Sequence, residues 1–306
     1  MADVIIIGGG TAGLTAAIYI QRSALQCIVL EAEEFGGRIF PTPAVDNYPG
    51  MPGVSGLDYS EKLRIQAEAL NAELTVQTVL TLIHSGDLWQ ATTQDDIFTA
   101  QVVIYAAGEK RRLLGVPGEA EFLGRGVATC AACDGAFFRN KNVAIVGGGD
   151  KALDDALILS RLCNSVHLIH RRDEFRAAGG TVARVRETPN ITLHLSRNVV
   201  SINVTDRVES ITMGGSEGSE SETLALSGVF VAVGAIPLTE LCAGFIQLDK
   251  QGYIIADEDC RTSVPGLFAA GDVRSKPLRQ LVTAAADGAV AAKAAADYIL
   301  YIKPKG

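Results

Sequence analysis

The sequence predicts an α/β protein with two parallel-sheet domains. A unit of strand, glycine-rich loop and helix opens the chain, and a unit of the same kind recurs in its middle. Glycine is also abundant, with 32 of the 306 residues against an average usage of about 7%. Most of these glycines follow short apolar runs rich in β-branched residues. Such runs, followed by helices, are typical of strands in a parallel sheet that is covered on both faces.

The first unit ends in an acidic residue. It consists of a strand at residues 3–7, the glycines Gly8, Gly10 and Gly13, a helix at 14–24 and a strand at 27–31. The G-x-G-x-x-G spacing between a strand and a helix lets the backbone approach a pyrophosphate at the helix N-terminus. Glu31 closes the second strand and can accept hydrogen bonds from an adenosine ribose. This unit therefore predicts a site for a dinucleotide without a 2′-phosphate, such as FAD.

The second unit ends in basic residues. It consists of a strand at 142–146, the loop residues Gly147, Gly149 and Ala152, a helix at 150–163 and a strand at 165–170. Alanine is permitted at the third loop position. The strand tip carries His170, Arg171 and Arg172, with Arg176 nearby. Cations at this place suit a 2′-phosphate, so this unit predicts an NADPH site, with a solvated basic patch as the alternative.

The remaining segments fit a discontinuous arrangement of the two domains. They are a strand at 102–108, a Pro/Gly connection at 113–118, a return crossing at 234–237, a strand at 266–272 and an Ala-rich helix at 279–300. The alanines of the last helix are explained by close packing of a helix on a sheet.

The charge balance excludes several classes of partner. Lys and Arg number 27 and Asp and Glu 35, for a formal net charge of −8. This argues against a nucleic-acid binder and against a polybasic membrane-surface protein. No apolar run reaches the roughly 18 residues of a spanning helix. The N-terminus shows no signal-peptide pattern, so we expect a cytoplasmic protein.

Two of the six cysteines are close in sequence. Cys130 and Cys133 form a C-x-x-C pair, which in a reducing compartment is either a redox pair or half of a zinc site. A structural zinc site needs two more ligands at workable spacing, and no second C-x-x-C exists. The sequence therefore favours a redox-active disulfide and no metal.

Taken together, the motifs resemble those of low-molecular-weight, bacterial-type thioredoxin reductases, which are class II pyridine nucleotide-disulfide oxidoreductases. The resemblance covers essentially the whole chain, and its motifs lie at residues 8–13, 36–37, 45–52, 114–118, 124–126, 130–135, 147–152, 170–177, 234–237, 268–273 and 279–280. The C-x-x-C-D-G at 130–135, just before the second glycine-rich loop, is the most specific of them.

The resemblance implies two Rossmann-like domains of the three-layer ββα type. An FAD domain would comprise residues 1–115 and 243–306, and an inserted NADPH domain residues 116–242. The implied FAD residues are Gly8, Gly10, Thr11, Ala12, Gly13, Glu31, Gly37, Arg38, Asn47, Ala107, Gly271, Asp272, Arg279, Gln280 and Leu281. The implied NADPH residues are Gly147, Gly149, Asp150, Lys151, Ala152, Asp155, His170, Arg171, Arg172 and Arg176.

The resemblance also implies an activity and roles for three residues. Cys130 would attack the disulfide of thioredoxin, Cys133 would face the flavin, and Asp134 would donate or accept the proton. The protein would act as a homodimer. Nicotinamide and disulfide belong to the same inserted domain and both need the flavin, so we expect that domain to rotate between two states.

Departures from the family pattern keep alternatives open. Lys151 stands where Ser or Thr is usual, and Ala235 replaces a residue that is often His. One alternative is a related flavoenzyme with another electron donor, such as reduced ferredoxin, or with another small disulfide substrate. A second alternative is a flavin-dependent dithiol oxidase or redox sensor.

Overall fold

The computed structural model describes residues 2–215 and 221–302. Contacts between residues divide the chain into two compact units. Unit 1 comprises Met1–Lys110 and Ile236–Gly306, and unit 2 comprises Arg111–Ala235. Within the described ranges, no helix is long and apolar enough to cross a membrane.

Helices alternate with strands at the start of each unit, and runs of consecutive strands follow. The helices are α1 (Thr11–Arg22), α2 (Gly56–Ala69), α3 (Ala131–Asp134), α4 (Asp150–Ser160), α5 (Gly179–Glu187) and α6 (Leu281–Asp297). The strands are β1 (Val4–Ile7), β2 (Cys27–Glu31), β3 (Glu73–Val76), β4 (Thr81–Ser85), β5 (Leu88–Thr92), β6 (Ile97–Ala100), β7 (Val102–Tyr105), β8 (Glu109–Arg111), β9 (Val127–Ala128), β10 (Asn142–Val146), β11 (Ser165–His170), β12 (Ile191–Leu195), β13 (Asn198–Val204), β14 (Val208–Gly214), β15 (Glu222–Ala225), β16 (Gly228–Val231), β17 (Ala235–Pro237) and β18 (Leu267–Ala269).

Unit 1 has a parallel sheet as its middle layer. The strand order is β18-β7-β1-β2-β3, and every pairing is parallel. Val4 and Ile6 of β1 join the core formed with α1 and α6. The alternate residues Ile5 and Ile7 join a second core that contains Trp89 of the antiparallel β4–β6 sheet. Because successive side chains point to opposite faces, one strand serves both cores and the unit has three layers.

Unit 2 repeats this plan. Its parallel sheet has the order β12-β11-β10-β16-β9, and β13–β15 form an antiparallel sheet. Val143 and Ile145 of β10 pack with α4. Ala144 and Val146 pack in the core that includes Ile211 of β14. The predicted α/β fold with two Rossmann-like, three-layer domains is therefore confirmed.

The predicted elements agree with the structure in the strands more closely than in the helices. The strands expected at 27–31, 142–146 and 165–170 have those bounds in β2, β10 and β11. The helix expected at 14–24 instead begins at Thr11, because the Leu14 N–H already donates to the Gly10 carbonyl. It ends at Arg22, shortly before Ala24, whose φ of 56° lies in the left-handed region. The strand expected at 102–108 ends at Tyr105, and the last helix spans Leu281–Asp297.

The two crossings lie slightly earlier in the chain than the predicted boundaries after residues 115 and 242. Leu114 and Gly115 donate their N–H groups to the buried carboxylate of Glu119, which ties them to unit 2. Cys242 is buried in a core of unit 1. The crossing segments β8 and β17 pair as a two-stranded sheet.

Asp287 of α6 fastens the turn that follows β18. Its carboxylate accepts hydrogen bonds from the Gly271 N–H at 3.0 Å, Arg274 Nη1 at 2.8 Å and Lys276 Nζ at 2.9 Å. Arg274 and Lys276 are nearly buried. One carboxylate therefore pairs with two nearly buried cations and fixes the backbone of the turn.

We predict that Asp287→Asn lowers the stability of the protein by about 3 kcal/mol, because it removes the carboxylate that pairs directly with two nearly buried cations. The urea unfolding midpoint measures this loss. Asp297→Asn on the same helix is the matched control, since Asp297 pairs with the exposed Lys293 and such a surface pair contributes less than about 1 kcal/mol. Equal shifts in the two variants would contradict the prediction.

Candidate functional site

The first glycine-rich loop of unit 1 leaves room for a ligand. Gly10 caps α1 without any side-chain hydrogen bond, so the N–H groups of the first turn remain available at the loop. A Cβ added at Gly13 would lie 1.8 Å from the Gly8 carbonyl oxygen, so the helix can pack this closely only with glycine. A Cβ at Gly10 would meet nothing nearer than the Gly36 carbonyl oxygen at 3.9 Å. The loop thus has the open cradle that a pyrophosphate requires.

Glu31 lies at the edge of this cradle. Its carboxylate accepts the Gly9 N–H at 2.5 Å and the Glu33 N–H at 3.1 Å. The Gly36 N–H donates to the Gly9 carbonyl at 2.9 Å and brings the next loop onto the first. The predicted acidic residue and the predicted glycines therefore meet at the carboxyl edge of the parallel sheet.

Asp272 carries a buried oxygen that the described residues do not satisfy. Its Oδ1 atom has no hydrogen-bond partner among them. Burial raises the pKa of this carboxyl, while Lys276 and Arg38 act in the opposite direction. Buried acceptors normally have a hydrogen-bond donor. The hydroxyl group of a ligand would supply such a donor to this oxygen at the end of β18. On this ground the residues of unit 1 fit FAD.

The other predicted FAD residues lie on the loops that follow the strands of this sheet and at the start of two helices. Asn47 donates to Gln280 Oε1 at 2.8 Å. Gln280 caps α6, which begins at Leu281. The remaining ones are Thr11 and Ala12 in the first turn of α1, Gly37 and Arg38 in a short 3₁₀ turn, Ala107 beside Gly8, Gly271 beside Asp272, and Arg279 just before α6.

The second loop, in unit 2, has a similar cradle. Gly149 caps α4 without a side-chain hydrogen bond, and a Cβ added there would meet no atom within 4 Å. Asp150 Oδ1 accepts the Ala178 N–H at 2.8 Å and so ties the loop to the start of α5. Lys151 Nζ contacts Asp155 Oδ2 at 2.6 Å, although the lysine side chain is largely exposed. Ala152 is buried in the core under the loop.

His170 supports the second loop from within. Its ring is buried, stacks on Phe175 at 5.5 Å between centroids, and its Nε2–H donates to the Glu174 carbonyl at 3.1 Å. A Cβ at Gly148 would lie 2.1 Å from this ring. Burial lowers the pKa of His170, and the nearby charges of Arg176, Arg172 and Arg171 act in the same direction.

Three exposed arginines follow β11. Arg171, Arg172 and Arg176 are exposed, and none of them has a carboxylate within 4 Å in the part of the chain that the structure describes. The Arg176 N–H donates to the Gly148 carbonyl at 2.8 Å, which places the segment beside the loop. Unpaired guanidinium groups beside a phosphate loop fit the 2′-phosphate of NADPH.

Cys130 and Cys133 form the predicted disulfide. The bond links the residue that caps α3 to the third residue of this short helix. The Cys133 N–H donates to Cys130 Sγ at 3.2 Å, and the Asp134 N–H donates to the Cys130 carbonyl at 3.0 Å. Both cysteines are half-buried, whereas Cys27, Cys163, Cys242 and Cys260 are free and buried. The exchangeable pair is thus the accessible one.

Asp134 directly follows this disulfide. Burial raises the pKa of its carboxyl above the ordinary value, and the charge of Arg111 opposes the shift. A carboxyl with a raised pKa holds its proton to higher pH than an exposed one. It is therefore suited to deliver a proton to an emerging thiolate.

Sequence reasoning missed Glu109 and Tyr253. The Tyr253 hydroxyl donates to Glu109 Oε2 at 2.7 Å, and the same carboxylate pairs with Arg38. The only sequence signal for Glu109 is its place directly after the glycine that ends the apolar run at 102–108. Nothing in the sequence signals Tyr253.

Comparison with known proteins agrees with this geometry. The family model described as pyridine nucleotide-disulphide oxidoreductase matches residues 2–289. The chain is 43% identical over 298 residues to a thioredoxin reductase of Treponema pallidum, covering 97% of each protein. It is 40% identical over 293 residues to a bifunctional thioredoxin reductase/thioredoxin of Mycobacterium leprae, covering 95% of this chain and 64% of that longer protein.

A solved structure extends the agreement to the fold. The crystal structure of thioredoxin reductase from Streptococcus pyogenes superposes with a TM-score of 0.94 at 38% sequence identity and covers 98% of both chains. With two glycine-rich loops and a C-x-x-C disulfide in place, the chain belongs to the pyridine nucleotide-disulphide oxidoreductase family and groups there with the thioredoxin reductases.

Proposed function

We propose that this protein reduces the disulfide of thioredoxin at the expense of NADPH. In this reaction NADPH, a proton and the thioredoxin disulfide give NADP⁺ and the thioredoxin dithiol. The observation that carries the proposal is the half-buried Cys130–Cys133 disulfide in the same unit as a basic dinucleotide cradle. The Mycobacterium leprae relative, which is named for both reductase and thioredoxin, supports thioredoxin as the partner.

Each unit would hold one cofactor. In unit 1 the loop at Gly8, Gly10 and Gly13 would receive the FAD pyrophosphate, Glu31 a ribose, and Asp272 a hydroxyl group. In unit 2 the loop at 147–152 and the exposed arginines would receive NADPH. Bound FAD supplies the step that converts a hydride from NADPH into the two electrons a disulfide needs.

The cysteine pair would then pass the electrons on by thiol–disulfide exchange. The Cys130 thiolate attacks one sulfur of the thioredoxin disulfide, which forms a mixed disulfide and expels a thioredoxin thiolate. Cys133 attacks Cys130 Sγ, which re-forms the Cys130–Cys133 bond and releases the second thioredoxin thiolate. Asp134 supplies a proton to an emerging thiolate. The Cys133 N–H, 3.2 Å from Cys130 Sγ, would also stabilise negative charge on that sulfur.

Four further predictions from the sequence belong to the same proposal. The two units would be the FAD and NADPH domains, and unit 2 would rotate about its two chain crossings. The chain would form a homodimer, and a measurement of its molecular mass in solution tests this. Tyr19 of α1 and Leu57 and Ile65 of α2 are exposed, and this supports an apolar contact. The four free thiols support a reducing location such as the cytoplasm.

We predict that Cys130→Ser abolishes thioredoxin reduction while NADPH still reduces the flavin, because only the attacking sulfur is lost. An anaerobic NADPH titration that follows the oxidised flavin band, combined with a thioredoxin assay, measures both. Ala132→Ser is the matched control, since Ala132 is exposed on the same helix, and it should retain both activities. Persistent thioredoxin reduction in Cys130→Ser would overturn the assignment of the nucleophile.

We predict that Arg171→Ala combined with Arg172→Ala raises the KM for NADPH at least about tenfold and leaves the KM for NADH nearly unchanged. The reason is that charge-assisted bonds to a phosphate are worth about 1.5–3 kcal/mol. Steady-state kinetics with both donors measures the effect. Arg184→Ala with Arg186→Ala removes the same charge from exposed positions of α5 and should change neither KM. Equal effects on both donors would remove the 2′-phosphate argument.

We predict that Asp134→Asn slows thioredoxin reduction about 100-fold, as expected for loss of a general acid. The wild-type rate should fall as pH rises through the raised pKa of Asp134, and this dependence should disappear in the variant.

The native state binds the proton of Asp134 more tightly than the unfolded chain does, so the charged carboxylate destabilises the fold above its ordinary pKa. Asp134→Asn should therefore unfold at the same or higher urea concentration at pH 7. A wild-type pH profile in the Asn variant would contradict the assignment.

A further inference from the structure

Five residues of unit 1 form a charged cluster at the carboxyl edge of its parallel sheet. They are Arg38, Glu109, Tyr253, Asp272 and Arg279. Arg38 follows the loop after β2, Glu109 comes shortly after β7, and Asp272 comes directly after β18. Because ligands of such sheets bind outside the carboxyl ends of the strands, the charged cluster lies at the predicted flavin site.

Glu109 is the centre of the charged cluster. One carboxylate oxygen pairs with Arg38 Nη1. The other accepts the Tyr253 hydroxyl at 2.7 Å and lies 3.7 Å from Arg279 Nε. The Glu109 side chain is only 8% exposed, whereas Arg38 is 37% exposed. The carboxylate of Glu109 is therefore nearly buried, and Arg38 is the more exposed member of the pair.

Arg279 is held from two further directions. Its guanidinium carbon lies 3.7 Å from the centre of the Tyr253 ring. Its Nε and Nη2 atoms donate to the carbonyls of Asp272 and Arg274 at 3.1 and 2.9 Å. Tyr253 thus binds both Glu109 and Arg279 and links the carboxylate to the second cation.

Glu109 supplies one of the two negative charges of the cluster. Two arginines face two carboxylates, and Asp272 is farther from Arg38, at 3.8 Å, than Glu109 is. Asp272 also has Lys276 Nζ at 4.0 Å, so without Glu109 the two guanidinium groups would share the single charge of Asp272 with Lys276.

We propose that Glu109 is a positioning residue that holds Arg38 and Arg279 at the flavin site and sets the net charge that bound FAD meets. This inference rests on the proposed function, since it requires FAD in unit 1. Reduction adds electrons to the flavin, so each uncompensated cation nearby favours the reduced form and each uncompensated carboxylate opposes it. Glu109 would therefore keep the flavin potential low enough to reduce a disulfide.

The test is the midpoint potential of FAD in the holoenzyme, measured by equilibration with a reference dye. Glu109→Gln keeps the shape of the side chain but removes its charge, and it should raise the ratio of reduced to oxidised flavin on the order of tenfold at a fixed potential, about 30 mV for a two-electron couple. Arg38→Gln should lower this ratio by a similar factor. The double variant should return close to the wild-type value, because it removes one charge of each sign.

Two further variants separate charge from structure. Glu68→Gln removes an exposed carboxylate that pairs with Arg64 on α2, and it should leave the potential unchanged. Tyr253→Phe breaks the hydrogen bond without a change of charge and should shift the potential less than Glu109→Gln. Arg38→Gln and Tyr253→Phe keep the proposal testable if Glu109→Gln does not fold.

The potential also distinguishes the possible failures. An unchanged potential in folded, FAD-loaded Glu109→Gln would overturn the inference and leave the proposed function intact, even if the variant melts earlier. Shifts of the same sign in Glu109→Gln and Arg38→Gln would overturn it as well. A wild-type protein that does not bind FAD at all would overturn both the inference and the proposed function.

Discussion

Parallel strand pairing is the constraint on which the rest of this structure depends. β1 pairs with β2 and β7, and β10 pairs with β11 and β16, always in the same direction. A parallel pair must be joined by a connection that returns to the starting edge, so the loops that follow the strands gather at one edge of each sheet. Both glycine-rich loops, the acidic tip of β2 and the basic tip of β11 lie at such an edge for this reason.

The sequence predicted the parts of the molecule that depend on local order. The strands β2, β10 and β11 and the two glycine-rich loops could be recognised because strand, loop and helix follow one another within about 30 residues. The disulfide was predictable for the same reason, since Cys130 and Cys133 are close in sequence. Helix α1 was placed three residues too late, because its first turn is formed by the loop itself.

Groups that meet only after folding were not predictable. Glu109 and Tyr253 are far apart in the chain, yet their side chains share a hydrogen bond. Asp287 appeared only as part of an Ala-rich helix, and its three donors come from the turn after β18. His170 lies at the expected position, but its burial against Gly148 depends on Phe175 and Glu174. The end of a strand determines where a residue lies in the fold, whereas packing against other segments determines the orientation of its side chain.

The pairing of β8 with β17 has a consequence for how the chain assembles. Arg112 and Gly234, near the two ends of unit 2, are joined by a backbone hydrogen bond of 3.1 Å, and Gly108 and Leu238 by one of 3.0 Å in unit 1. The two halves of unit 1 are separated in sequence by the whole of unit 2, and closing so long a loop carries an entropic penalty. Once unit 2 is folded its ends are adjacent, so bringing the two halves of unit 1 together no longer carries that penalty. The order of synthesis and the order of folding can therefore differ. The inserted unit can fold first, and its adjacent ends then hold the segments on either side of it together.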